Sequence, residues 1–331
     1  MTDPFRIRLL ALASVFSISP LYAGSGLDLS RNDVTTFIAM MEREHGIPVE
    51  ETRGVLSEAQ IQPPILEAMR RPAEKVKPWH EYRQIFLTDK RIDAGVQFWR
   101  ENRSELDRVS GDTGVPPEII VGILGVETFY GRITGRYRVI DALATLAFEY
   151  PPRSRFFTSE LEQFLLLARE QGIDPHTATG SYAGAMGGPQ FISSSYRAYA
   201  VDASGDGRVD LWENWTDIMG SVANYFTAHG WEAGGEVVAR IPRDVPANLL
   251  SDGLRLDRDL SSLVELGIPG GGAQKVMVFE LEAENGPQYW VGYKNFYVIT
   301  RYNRSNMYAM AVYELGQAVR ARREAADSDS G

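Results

Sequence analysis

The stretch PPEIIVGILGVETFYG, residues 116–131, constrains the fold more tightly than any other part of the chain. Two prolines open it, the run from Ile119 to Val126 has no charged or hydrogen-bonding side chain, and Glu127 follows directly. Proline in a first turn and Gly131 at the far end predict a helix built for burial. Gly122 and Gly125 give that helix a thin side where a second backbone can come close. Leu124, Ile123 and Ile120 lie three, four and seven positions before Glu127, so the acid shares the apolar face. A carboxyl there is poorly hydrated and stands near the negative end of the helix dipole. Both effects are expected to raise its pKa, and an acid still protonated near neutral pH can serve as a general acid. The same pattern fits a plainer role, in which Glu127 pairs with Arg132 or Arg136 and pins the helix end. Pattern alone leans toward the plainer role.

Around this segment the chain is mostly helical. DVTTFIAMMEREHG (33–46) repeats Val34, Phe37, Met40 and Met41 and stops at Gly46. Residues 89–109 carry Ile92, Val96, Trp99, Leu106 and Val109 between charges, and more helices follow from 151 to 230 around a Gly-rich stretch at 180–188. After about Glu236 the texture changes. EVVARI predicts a strand, KVMVFELEAENGPQYWVGY (275–293) a hairpin turning at Glu284-Asn285-Gly286, and FYVITRY (296–302) a third strand. Residues 242–272 read as loop with short turns, and a last helical pattern precedes a polar tail. The predicted class is α+β, mainly helical, with a small antiparallel β domain. The expected regions are 1–23, 24–236, a β domain over 237–304, a helix over 305–322 that packs back on the helical region, and a flexible tail over 323–331.

Residues 202–213, DASGDGRVDLWE, follow the spacing of an EF-hand-type calcium loop. Asp202, Ser204, Asp206, the carbonyl of Arg208 and Glu213 would wrap one Ca²⁺, with Asp210 acting through a water. Gly207 permits the sharp turn. A single loop of this kind suggests a structural ion, and the alternative is a metal-free Asp/Gly-rich surface turn.

A length of 331 residues allows about two domains. The net charge of −10 argues against a nucleic-acid partner, which needs a basic stripe. There is no cysteine, which excludes disulfides, thiol catalysis, thiolate zinc sites and a lipid-modified cysteine. The start, MTDPFRIR then LLALASVFSI then SPLYA, has the basic, apolar and small-residue order of a cleaved export signal ending near Ala23. The alternative is a buried N-terminal helix. The four histidines (45, 80, 176, 229) are scattered, and no HExxH, GxSxG or phosphate-binding glycine loop occurs.

Long blocks give a more specific signal. EYRQIFLTDKRIDAGVQFW (81–99), VPPEIIVGILGVETFYGRITGRYRVIDALATLAFEYP (115–151), GSYAGAMGGPQFISSSYRAYAVDASGDGRVDLW (180–212), SVANYFTAHGW (221–231) and NFYVITRYNRSNMYAMAV (295–312) resemble the B-type lytic transglycosylases of bacterial cell walls, glycoside hydrolase family 103. The resemblance implies a lysozyme-like helical fold with a small β domain and the calcium site, and a soluble periplasmic protein without a membrane anchor. It assigns the catalytic acid to Glu127 and cleft lining to Tyr82, Arg153, Ser181, Gln190, Tyr302, Asn303 and Tyr308. Pro152 stands where a second arginine is expected, so one cationic contact is absent.

The implied partners are peptidoglycan glycan strands, alongside other cell-wall enzymes, and no organic cofactor is expected. The implied reaction cleaves the bond between N-acetylmuramic acid and N-acetylglucosamine without water and leaves a 1,6-anhydro end. Ser181 would orient the Glu127 carboxyl, Gln190 and Asn303 would hold sugar amides, and the tyrosines would offer ring faces and hydroxyls. Two alternatives remain: a lysozyme-type hydrolase, which needs a second acid (Asp141 and Glu149 are poor candidates), and a non-catalytic, calcium-stabilised wall-binding protein.

Overall fold

The apolar run forms a helix much as its pattern predicts in the computed structural model, which describes residues 25–70, 77–270 and 274–328. The helix spans Pro117–Thr128 with Pro116 as its cap, and every residue from Ile119 to Val126 is buried. The expected close approach is present. A Cβ added to Gly122 would stand 2.3 Å from the Val312 carbonyl oxygen, and one added to Gly316 would stand 2.1 Å from that of Glu118. The helices Pro117–Thr128 and Asn306–Ser328 therefore cross backbone to backbone, a contact that only residues without side chains permit. The proposed leader, 1–23, lies outside the described residues.

The chain divides into two units that alternate along the sequence rather than following one another as expected. Of the described residues, the first unit takes 77–130 and 222–328, and the second takes 25–70 and 131–221.

The first unit begins with helices Trp79–Phe86, Asp89–Glu101, Arg103–Thr113 and Pro117–Thr128. The helical stretch read at 89–109 is thus two helices. They part at Asn102, whose side-chain amide donates to the Phe98 carbonyl at 2.9 Å and competes with helix propagation. The late sheet is four-stranded and antiparallel, in the order Val238–Ile241, Gly286–Gly292, Lys275–Ala283, Arg258–Asp259. The hairpin turns at Glu284 and Asn285, with Val278 opposite Val291 and Phe279 opposite Trp290. Val276, Val278 and Val291 line one face, and residues 242–270 fold over it with Val245, Leu260, Leu263 and Ile268. That segment is therefore the lid of a small core.

Two expectations in this unit are corrected. Residues 296–302 do not form a strand: they lie in the helix Lys294–Tyr302, which buries Phe296, Val298, Ile299 and Tyr302. At its start Asn295 binds a turn, accepting from Glu232 N–H at 2.8 Å and donating to the carbonyls of Glu232 and Gly235 at 2.8 and 3.0 Å. This tertiary anchor outweighs the β-branched composition. The expected tail is helical as far as Ser328. Arg322 pairs with Asp89 and Asp93, both at 2.6 Å, and Arg323 lies over the Trp99 ring at 4.4 Å.

The second unit is helical: Asn32–His45, Val49–Ser57, Pro63–Arg70, Val139–Glu149, Ser154–Gln171 and Ser193–Tyr199, with two-residue strand pairs between Ser25–Gly26 and Gln60–Ile61 and between Tyr137–Arg138 and Thr179–Gly180. Asp141 is buried here. It accepts from Arg138 at 2.8 and 2.9 Å and from the Gln60 N–H at 2.8 Å. Glu149 pairs with Arg31.

Candidate active site

Glu127 occupies the last turn of the apolar helix and is half-buried. The turn after it is unusual. Phe129 and Tyr130 have φ of 51° and 57°, the left-handed region that bulky residues avoid at a cost of roughly 1–2 kcal/mol each. Phe129 N–H donates to Gly125 O at 3.2 Å and Tyr130 N–H to Leu124 O at 3.0 Å, so the turn closes the helix as a glycine cap would. Tyr130 stacks on Phe98 with ring centroids 5.5 Å apart.

Three of the expected tyrosines belong to the same unit as the acid and are walls rather than open faces. Tyr308 is fully buried, Tyr82 is 2% exposed and Tyr302 is 9% exposed. Tyr308 Oη donates a hydrogen bond to Glu127 Oε1. Burial first, and then the charge of Glu127, push the Tyr302 and Tyr308 hydroxyls well above the usual tyrosine range, so both stay protonated donors. Asn303, at the end of the helix Lys294–Tyr302, is also buried.

Tyr302 packs on Tyr225, ring centroids 4.8 Å apart, and Tyr225 stacks on His229 at 4.1 Å. His229 Nδ1 donates to the Tyr225 carbonyl at 2.7 Å, and burial holds the ring's pKa below the ordinary 6.5. A depressed histidine pKa means that the folded state prefers the neutral ring. The stability this gives is present above about pH 6.5 and is lost as pH falls through the lowered folded value. Thermal unfolding between pH 7 and 5 should therefore show a shallower loss of Tm in His229→Gln than in the wild type. An equal slope in both would remove His229 from the account.

The other expected contacts lie in the second unit. Ser181 Oγ accepts the N–H groups of Ala183 and Ala185 at 3.3 and 3.1 Å, so the residue expected to orient the acid also shapes its own turn. Gln190 is left-handed, with φ of 53°, and its Nε2 donates to the Thr134 and Gly187 carbonyls at 3.0 and 2.9 Å. Its Oε1 makes no hydrogen bond among the described residues. The Arg153 guanidinium lies 4.5 and 5.1 Å from the ring centres of Phe156 and Phe157, with its pKa lowered chiefly by burial. It has neither hydrogen-bond nor ion-pair partner among the described residues.

The calcium-type loop also lies in this second unit. Asp202 accepts N–H groups from Gly205 at 2.6 Å and Gly207 at 2.8 Å, and Asp206 accepts that of Arg208 at 2.9 Å. The carboxylate grouped with these two is not Glu213, which is exposed, but Asp217. Ligand oxygens of Asp202, Asp206 and Asp217 lie within 4.8 Å of one another. The physical reason is where the next helix starts: it begins at Trp215, so its first turn presents Asp217 inward, fully buried. Asp217 accepts N–H groups from Ala203, Ser204 and Asp210 at 3.0, 2.9 and 3.0 Å, which ties the loop to the helix. Three carboxylates with the Ser204 hydroxyl, which donates to Asp202 Oδ1 at 3.2 Å, are an all-oxygen set, which fits a hard divalent cation such as Ca²⁺.

One half-buried carboxyl held by a tyrosine hydroxyl, on a helix-dominated frame with a late antiparallel sheet, is a group that can serve as a general acid. Residues 30–317 match the family described as the transglycosylase SLT domain, and the chain belongs to that family. Over 308 residues it is 44% identical to the membrane-bound lytic murein transglycosylase B of Escherichia coli strain K12, covering 89% of this chain and 84% of that protein. Catenated lytic transglycosylase SltB1 from Pseudomonas aeruginosa superposes with a TM-score of 0.84 at 48% identity, over 88% of this chain and 98% of that one. Escherichia coli lytic transglycosylase Slt35 in complex with calcium gives 0.81 at 42% identity, over 93% and 99%. Among the described residues no helix is long and apolar enough to cross a membrane.

Proposed function

We propose that the protein is a lytic transglycosylase of peptidoglycan, cleaving the β-1,4 bond from N-acetylmuramic acid to N-acetylglucosamine with one carboxyl group, Glu127. The observation that carries this is the seat of the acid: half-buried at a helix end, with one oxygen held by the buried Tyr308 hydroxyl. Glu127 gives its proton to the glycosidic oxygen as the C1–O bond breaks, and the N-acetylglucosamine chain leaves with a free hydroxyl. The ionised carboxylate then takes the proton of the muramoyl C6 hydroxyl, whose oxygen closes onto C1. Atoms balance without water, Glu127 ends protonated, and the product is a 1,6-anhydromuramoyl end. A lysozyme-type mechanism would need a second acid. The two considered for it are engaged elsewhere, Asp141 with Arg138 and Gln60, and Glu149 with Arg31.

Arg153, a cation on two phenylalanine rings, suits a carboxylate of the substrate, and Gln190 Oε1 suits a sugar amide N–H. Tyr302, whose hydroxyl feels the charge of Glu127, and the buried Tyr82 and Asn303 of the same unit suit the wall around the acid, and Ser181 shapes the Gly-rich turn. Asp202, Ser204, Asp206, the Arg208 carbonyl and Asp217 would hold a structural Ca²⁺, with Glu213 outside the set. The basic and apolar start of the sequence supports export to the periplasm, where peptidoglycan is the substrate.

Mass spectrometry of muropeptides released from purified sacculi tests the reaction. Products lighter by one water than hydrolytic muropeptides support it, reducing-end products would make the protein a lysozyme, and binding without products would make it a wall-binding module. Tyr308→Phe tests the seat. A hydrogen bond to a charged group is worth about 1.5–3 kcal/mol, so kcat should fall roughly tenfold to a hundredfold with KM little changed. A wild-type rate would show that Tyr308 only fills space.

A further inference from the structure

Arg91 is a buried cation that the reaction as described does not use. It sits in the first turn of the helix Asp89–Glu101 and is 8% exposed. Its Nη1 is buried without a hydrogen-bond partner, and no carboxylate lies within salt-bridge distance of it among the described residues. Burial lowers its pKa, the signature of a charge held away from both water and a counter-ion. Such a placement disfavours folding unless something else compensates. The guanidinium carbon lies 4.7 Å from the centre of the Phe129 ring and 5.2 Å from that of Phe86. Both distances are within cation–π range, an interaction that strengthens when the cation is desolvated.

Phe129 is the left-handed residue that ends the catalytic helix, two positions after Glu127. Its backbone is strained, and the next residue, Tyr130, is strained in the same sense. Tyr130 is locked by its stack on Phe98. Its hydroxyl also fills the space over two glycines, where a Cβ on Gly95 or Gly125 would come within 2.4 or 2.6 Å of it. Phe129 is half-buried: its ring meets that of Tyr130 edge-on, centroids 6.2 Å apart, and carries the Arg91 guanidinium on its face. A residue in a strained conformation relaxes unless its side chain is held. Relaxation here would break the two hydrogen bonds that close the turn and would swing the end of the helix on which Glu127 rides.

We propose that Arg91 is a positioning residue for the reaction: its guanidinium, laid on the Phe129 ring, holds the left-handed exit of the catalytic helix and thereby the Glu127 carboxyl. The inference rests on the reading of Glu127 as the acid. It accounts for an unpaired charge in the core and for a phenylalanine where a helix cap would ordinarily carry glycine.

The test is a cycle of Arg91→Met, Phe129→Leu and the double variant, with Arg91→Lys and Glu127→Gln beside them, assayed for anhydromuropeptide release at several concentrations of sacculi. Methionine keeps the stem without the charge, and leucine keeps an apolar side chain without a ring. Each single variant should lower kcat about tenfold with KM within about twofold. The double variant should lose no more than either single one, because both remove the same contact. Arg91→Lys should restore most of the rate, while Tm of Arg91→Met stays at or above that of the wild type. A wild-type kcat in Arg91→Met, multiplying losses in the double variant, or no rescue by lysine would each overturn the proposal. Should Arg91→Met fail to fold, Phe129→Leu decides alone: a kcat loss at unchanged KM supports the clamp, and a wild-type rate overturns it. An active Glu127→Gln would instead overturn the assignment of the acid, so the two failures are distinguishable.

Discussion

Glu127→Gln is expected to lower the release of anhydromuropeptides by on the order of 10²–10⁴, while Tm and binding to sacculi stay close to wild type. The replacement keeps shape and polarity: the amide oxygen still accepts from Tyr308 Oη, and the helix core from Ile119 to Val126 is untouched. What is lost is the proton. Glutamine cannot protonate the leaving oxygen, and it cannot then take the proton from the C6 hydroxyl, so both halves of the step lose their group. The alternative role for Glu127, pinning the helix end against an arginine, predicts the reverse: lowered Tm and preserved turnover. A Glu127→Gln protein with lower Tm and full rate would therefore return the acid to a structural part.

The second large effect concerns the loop at 202–213. Chelation should lower Tm, and Asp217→Ala should abolish the response to added calcium, whereas Glu213→Gln should leave it nearly intact. A ligand at about a hundred times its Kd adds about 2.7 kcal/mol, which in a protein of this size corresponds to a shift on the order of 5 °C. Asp217 is expected to matter most because it is the buried member of the group and also receives three backbone N–H groups from the loop. Isothermal titration of the three proteins with Ca²⁺ separates ligand loss from loop collapse. If Glu213→Gln loses calcium binding and Asp217→Ala keeps it, the coordination set is the one the spacing predicted rather than the one proposed from the structure.

These cases show what the sequence could convey. Glu127 was legible because an acid that ends a run without polar groups violates local expectation, and Gly122 was legible because nothing in a core helix favours glycine except a neighbour. The hairpin announced itself through two apolar, β-prone runs around Glu284-Asn285-Gly286, and it turns at the first two of these residues. Tyr308 as the seat of the acid was not legible as such, since 181 residues separate the two and no local pattern encodes that contact. Asp217 lies beyond the loop whose spacing is recognisable, and its role depends on where the following helix begins. The segment 296–302 misled because β-branched and aromatic residues suit strands, while the contacts that make it helical involve Asn295 and the distant turn at Glu232. Residues 242–270 carried no motif because their task is to cover the face of a sheet, which many apolar residues can do.

The backbone-to-backbone crossing of the helices Pro117–Thr128 and Asn306–Ser328 also sets a clock. The acid is synthesised 181 residues before its seat, so no nascent chain that stops short of Tyr308 can hold Glu127 as the finished protein does. An enzyme able to cut the envelope that shelters the cell is thus completed only once its chain has passed Tyr308.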